Sequence, residues 1–161
     1  MTMIRCSIDT PLSEARVRAA PTDFSARRPD VWPNLDPGLY EVHDRGPTWA
    51  DLTEGSRFGG GIWERARYDW ADPHRVRLTV TASNAFAPGS SWEYATTSRP
   101  AAGTHVELVM NRRGRSVKGR LLATVLRVSG RKVFCGDLAK ALRALEKAGP
   151  SAVGSPPGRG E

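Results

Sequence analysis

The sequence predicts an α+β fold in which a curved, seven-stranded antiparallel sheet wraps round one long C-terminal helix, in the order β-α-α-β6-α. Three observations carry this reading. Between Leu39 and Arg112 the chain is a succession of short β-favouring runs separated by Gly, Pro and Asp clusters, as a meander of hairpins requires. Within it, Arg75 to Ala82 alternates cleanly, with Val76, Leu78, Val80 and Ala82 on one side and Arg77, Thr79 and Thr81 on the other, so one sheet face is apolar and needs a cover. Beyond it, Val117, Leu121, Leu122, Val125, Leu126 and Val128, then Phe134, Leu138, Ala141, Leu142 and Leu145, recur at helical spacing and supply that cover.

Taken in order, Met3 to Ile8 alternates with Ile4, Cys6 and Ile8 on one side and reads as the first strand. Thr10 as cap and Pro11 at the first helical position predict a helix to about Ala20. Thr22 or Asp23 then caps a second short helix that ends in the Pro29 to Pro33 region. Strands are expected at Leu39–Asp44, Thr48–Thr53, Ile62–Trp70, Arg75–Asn84, Ser91–Ser98 and Thr104–Arg112. The last helix is expected from Ser116 to Ala148, with Gly130 and Gly136 as places where it can kink, because interior glycine is costly. Residues 1–148 thus form one expected domain, and the Ser, Gly and Pro composition of 149–161 predicts a disordered tail.

Composition narrows the function classes. The 161 residues, 39% hydrophobic and 25% charged, suit one globular domain, and neither a secretory leader nor a bilayer-length apolar run is present, so a cytoplasmic protein is expected. Cys6 and Cys135 lack any ligand spacing and are expected as buried, reduced thiols. His43, His74 and His105 have no partner at metal-binding spacing, and Gly59-Gly60-Gly61 is not followed by the Lys-Ser/Thr of a phosphate loop and reads as a hairpin or cavity lip. Neither a metal nor a cofactor is expected. The net charge of +7 invites a nucleic-acid reading, yet only 111–120, with five basic residues, is dense. That segment reads as a solvated turn into the last helix, with an anion or membrane-surface patch as the alternative; nucleic acid is disfavoured.

The wording of Asp23-Phe24-Ser25, Trp32-Pro33-Asn34-Leu35, Thr48-Trp49-Ala50-Asp51, Glu54-Gly55-Ser56, Trp63-Glu64-Arg65, Tyr68-Asp69-Trp70 and Ala87-Pro88-Gly89-Ser90-Ser91, together with the element order, resembles the START-like (SRPBCC, helix-grip) superfamily over residues 3 to 147. It looks most like the bacterial polyketide cyclase/dehydrase-like members. The resemblance implies a cavity between sheet and terminal helix, and says little about what enters it, because fold does not carry activity.

Rings with a polar handle suit the wall of such a cavity, so Trp32, Tyr40, Tyr68, Trp70, Trp92 and Tyr94 are candidate ligand contacts, with Met110, Leu122 and Leu126 as apolar ones. On Ile62–Trp70 the apolar parity also carries Glu64, whose inward carboxylate is either a general acid or base or half of an ion pair with an arginine. Asn84, on the inward parity of its strand, is a candidate for holding a ligand carbonyl or for capping the following turn. The leading expectation is binding of a hydrophobic or amphipathic, lipid- or polyketide-like molecule. The alternatives are a cyclase or aromatase, which needs two or more inward polar groups within hydrogen-bond reach of one another, and an interaction protein acting through its basic segment.

Overall fold

The computed structural model describes residues 2–32, 34–57 and 60–147; the expected tail at 149–161 lies outside them. The chain runs β1 (Thr2–Thr10), α1 (Glu14–Thr22), α2 (Arg28–Val31), a 3-10 turn (Pro37–Leu39), β2 (Glu41–Gly46), β3 (Trp49–Ser56), β4 (Ile62–Asp69), β5 (Arg75–Ser83), β6 (Ser91–Arg99), β7 (Gly103–Arg112) and α3 (Val117–Lys147). One antiparallel sheet has the order β1-β7-β6-β5-β4-β3-β2. Consecutive strands from β2 to β7 are neighbours, and β1 closes the far edge by pairing along its whole length with β7, Thr2 opposite Arg112 and Thr10 opposite Thr104.

The β1 pairing corrects the expected helix start. Thr10 is needed in the ladder, its hydroxyl donating to Glu146 Oε1 at 2.8 Å and accepting from Leu12 N–H at 3.4 Å, and α1 begins only after Ser13, too far along for Thr10 to cap it. That helix then runs past Ala20 and takes Pro21 into its last turn. The second helix follows Arg27 rather than Thr22 or Asp23, and Pro29 sits in its first turn, where a missing N–H costs nothing.

Inward side chains from the strands form a continuous apolar face. Ala50 and Leu52 of β3, Ala66 and Tyr68 of β4, Val76, Leu78 and Val80 of β5, and Val106, Leu108 and Met110 of β7 are all buried. The helix α3 spans this face as the single long helix expected, unbroken at Gly130 and Gly136. Two of its glycines instead permit close approach. A Cβ on Gly119 would collide with the carbonyl of Ala85, and one on Gly130 would press on Ile4 of β1. The second half of α3 packs Leu138, Leu142 and Leu145 against Cys6, Leu12 and Val17. There Cys135 is half-buried rather than buried, both thiols are free, and burial followed by the hydrogen bond with Cys135 pushes Cys6 up to about 12.

Candidate functional site

Sheet and helix do not meet everywhere. Between the first half of α3, the β3–β4 end of the sheet and the α2 region lies a cavity of about 760 Å³. Its walls are mainly apolar: Leu78, Phe86, Trp92 and Leu108 from the sheet side face Leu122, Leu126, Phe134 and Leu138 of α3. Trp92 and Phe134 meet edge to face across it, centroids 5.0 Å apart, which fixes both rings as wall.

Two buried charged clusters interrupt these walls. Glu54 and Glu64 stand directly opposite each other on β3 and β4, and both line the cavity. Like charges in that position repel, and each carboxylate has its own arginine. Glu54 is met by Arg28 from α2, whose Nε donates to Oε2 at 3.2 Å. Arg28 Nη1 donates to the carbonyls of Pro21 and Asp23 at 3.0 and 3.1 Å, and Nη2 donates to the Tyr68 hydroxyl at 2.8 Å. Tyr68 in turn donates to Glu54 Oε1 at 2.6 Å. Burial opposes the Arg28 charge, but Tyr68 and Glu54 more than offset it and hold the guanidinium protonated; burial likewise lifts the Tyr68 phenol well above its usual range.

The second cluster is simpler. Arg112, the last residue of β7 and only 3% exposed, donates from Nη1 to Glu64 Oε1 at 2.6 Å. Its guanidinium lies over the rings of Phe86 and Trp92, 4.8 and 4.9 Å from their centroids. Among the described residues Nε and Nη2 make no hydrogen bond. The indole Nε1 of Trp92 is also buried without a partner, and the Tyr94 hydroxyl has none among the described residues. Burial raises the Glu64 carboxyl above the ordinary glutamic acid value; Arg112 pulls it back only in part, and Glu54 adds to the rise.

Of the candidate contacts read from the sequence, Trp32, Glu64, Tyr68, Trp92, Tyr94, Leu122 and Leu126 line this cavity. Four do not. Met110 is fully buried, filled over by Ile4, Phe86 and the α3 leucines. Trp70 lies past the end of β4 with its ring tilted on Phe24 at 5.5 Å, and Tyr40 packs against the β3–β4 part of the core, where burial pushes its hydroxyl up to about 12. Asn84 is turned to solvent. A bulge, where Arg65 pairs with Ala82 but Ala66 pairs with Val80, reverses the parity of β5, so Ser83 is buried in its place. Asn84 instead accepts from Trp63 N–H at 3.1 Å and donates to the Gly61 carbonyl at 3.0 Å, pinning the start of β4.

Arg112 is the reverse case. The sequence placed it in an exposed basic turn, yet it continues the inward row Val106, Leu108, Met110 and so faces the interior. Of the same segment, Lys118 Nζ donates to the carbonyls of Gly60 and Gly61 at 3.1 and 2.8 Å, tying α3 to the β3–β4 loop, where Gly60 and Gly61 adopt φ of +77° and +83°. Among the described residues no cluster of His, Cys, Asp or Glu could hold a metal, and no helix is long and apolar enough to cross a membrane.

No protein-family model matches the sequence, and no curated protein does. Solved structures do match in shape. The Zhui aromatase/cyclase from Streptomyces sp. R1128 superimposes with a TM-score of 0.75 at 15% identity, covering 95% of this chain and 98% of that one. A protein from Thermus thermophilus gives a TM-score of 0.74 at 18% identity, over 92% of this chain and 99% of that one. A START superfamily protein from Mycobacterium smegmatis gives 0.71 at 14% identity, over 92% of this chain and 99% of that one. At these identities the likeness is one of fold. With its seven-stranded antiparallel sheet gripping a long C-terminal helix, the chain has the START-like, polyketide cyclase-like fold.

Proposed function

We propose that the protein binds a small amphipathic molecule between sheet and α3, its apolar body against Leu108, Trp92, Phe134, Leu122 and Leu126 and its hydrogen-bond-accepting or anionic end at Arg112. One observation carries this reading: a buried arginine in an apolar cavity uses one of its donor nitrogens and leaves two without a partner among the described residues. Arg112 lines the cavity, and guanidinium donors left unmade in mainly apolar surroundings are expensive, so the site is complementary to an acceptor. The test is a thermal-shift panel of long-chain carboxylic acids, aromatic keto acids and hydrocarbons without a polar end. At a hundredfold excess over Kd a ligand adds about 2.7 kcal/mol, or a rise in Tm of about 5–10 °C for a chain of this size. Acceptor-headed amphiphiles are expected to give that rise and plain hydrocarbons a smaller one; no shift with any amphiphile sinks the reading.

A second reading, cyclase- or aromatase-type chemistry, is favoured by the two inward carboxylates facing each other across β3 and β4, one of them with a raised pKa suited to delivering a proton. It predicts that a poly-keto thioester incubated with the protein loses water to give a cyclised product, and that Glu64→Gln loses this activity. Recovery of unchanged substrate at full occupancy leaves binding alone.

A further inference from the structure

The charge of this protein is not spread evenly. Residues 113–136 contain seven Arg and Lys and no Asp or Glu, which equals the formal net charge of +7 for the whole chain, so the remainder is balanced. Most of this stretch is the first half of α3, and its outer face has an unusual composition. Val117, Leu121 and Val128 are 85%, 67% and 88% exposed and, at spacings of four and seven residues, form one ridge along the helix. At 100° per residue, Arg120, Arg127 and Arg131 fall on one flank of the ridge and Lys132 on the other. None of these four makes a side-chain hydrogen bond or ion pair among the described residues.

We propose that this face of α3 docks the protein on an anionic lipid surface, with the Val117, Leu121 and Val128 ridge among the acyl chains and the flanking arginines and lysine at the headgroups. An apolar ridge edged by cations is the pattern of a helix lying in a membrane interface, where each basic residue near an anionic surface is worth roughly fivefold in partition. Nucleic acid would account for the basic residues and leave the ridge in water. A second copy of the chain would bring two like-charged faces together. Continuity with the cavity also favours lipid: Val125, which shoulders the ridge, and Ser129 and Val133 on the same helix line the cavity, so docking brings its α3 side towards the membrane.

The experiment is co-sedimentation of the full chain with vesicles of phosphatidylcholine, alone or mixed with phosphatidylglycerol, at low and high salt. Expected is binding to the anionic vesicles that weakens with salt, with little binding to neutral ones. Leu121→Ser with Val128→Ser should weaken it roughly tenfold or more, and Arg120→Glu with Arg127→Glu by more than roughly tenfold. Neither pair lines the cavity, so both variants should keep the wild-type Tm and response to cavity ligands. The proposal is overturned by absence of vesicle binding, by equal binding to neutral vesicles, or by binding that the serine substitutions leave unchanged. Salt-sensitive binding to duplex DNA that survives those substitutions, without vesicle binding, assigns the face to nucleic acid instead.

Discussion

The two buried arginines sit in the same cavity and have the same partner chemistry, yet they are built differently. Arg28 is closed: Nε, Nη1 and Nη2 all donate, to Glu54, two carbonyls and Tyr68. Arg112 is open: one hydrogen bond to Glu64, two aromatic faces, and two nitrogens unused among the described residues. A charge whose donors are spent holds structure together, here tying α2 and the end of α1 to β3 and β4. A charge whose donors are unspent has the means to hold something else. The difference separates scaffold from site on the same wall, although both arginines are equally removed from solvent.

The largest effect should come from breaking the closed cluster. Arg28→Met leaves the Glu54 charge uncompensated and two carbonyls and a phenol short of a donor, so urea unfolding should show a loss of about 3–5 kcal/mol. Adding Glu54→Leu should restore only part of this, because the carbonyls of Pro21 and Asp23 still lack their donor.

The open cluster should behave otherwise. Glu64→Leu with Arg112→Met replaces a buried pair by apolar groups of similar size, and its stability should stay within about 1 kcal/mol of wild type, while affinity for an acceptor-headed ligand falls at least about tenfold. A double variant as damaged as Arg28→Met would erase the distinction between the two clusters.

The pH dependence sharpens it. The folded protein holds a proton on Glu64 to higher pH than the unfolded chain does, so the stability this group contributes is greatest at or below the ordinary glutamic acid value and declines as pH rises through its folded value. Asp9, Glu14, Asp36 and Asp51 work the other way. Their carboxyls are held low, mainly by hydrogen bonds from His105, Thr96, Arg57 and Arg65 respectively, and their contributions fade as pH falls. The stability of wild type minus that of Glu64→Gln, measured by urea unfolding across mildly acid to neutral pH, should therefore fall with rising pH; a flat or rising difference contradicts the raised pKa. The smallest effect is expected for Trp92→Phe, which keeps the ring wall and removes an indole N–H that has no partner: stability should change by less than about 1 kcal/mol, while ligand affinity drops.

Much of this was legible in the sequence because parity and periodicity are local. The alternation of β4 placed Ile62, Glu64, Ala66 and Tyr68 on one face, and the structure has them there. Parity fails where the ladder does, and the β5 bulge turned Asn84 outward. Arg112 has two conflicting signals: it follows Met110 by two positions on the inward row, while the dense basic segment around it argues for the surface. Glu54 falls one residue past the strand end expected at Thr53, so the sequence alone does not set it opposite Glu64. Arg28 had no local signal. It sits in Ala26-Arg27-Arg28-Pro29, at the end of the second short helix expected before the Pro29 to Pro33 region, and its burial depends on partners 26 and 40 residues away on β3 and β4.

The central claim is that Arg112 holds the polar end of a molecule bound between sheet and helix. The most direct test is native mass spectrometry of the purified protein, wild type beside Glu64→Leu/Arg112→Met, with organic extraction of anything released on unfolding. The account predicts an apolar, acceptor-headed molecule on the wild type and its loss from the double variant, with both chains folded. A wild type that stays empty after incubation with an amphiphile panel, or a double variant that retains the molecule, contradicts it.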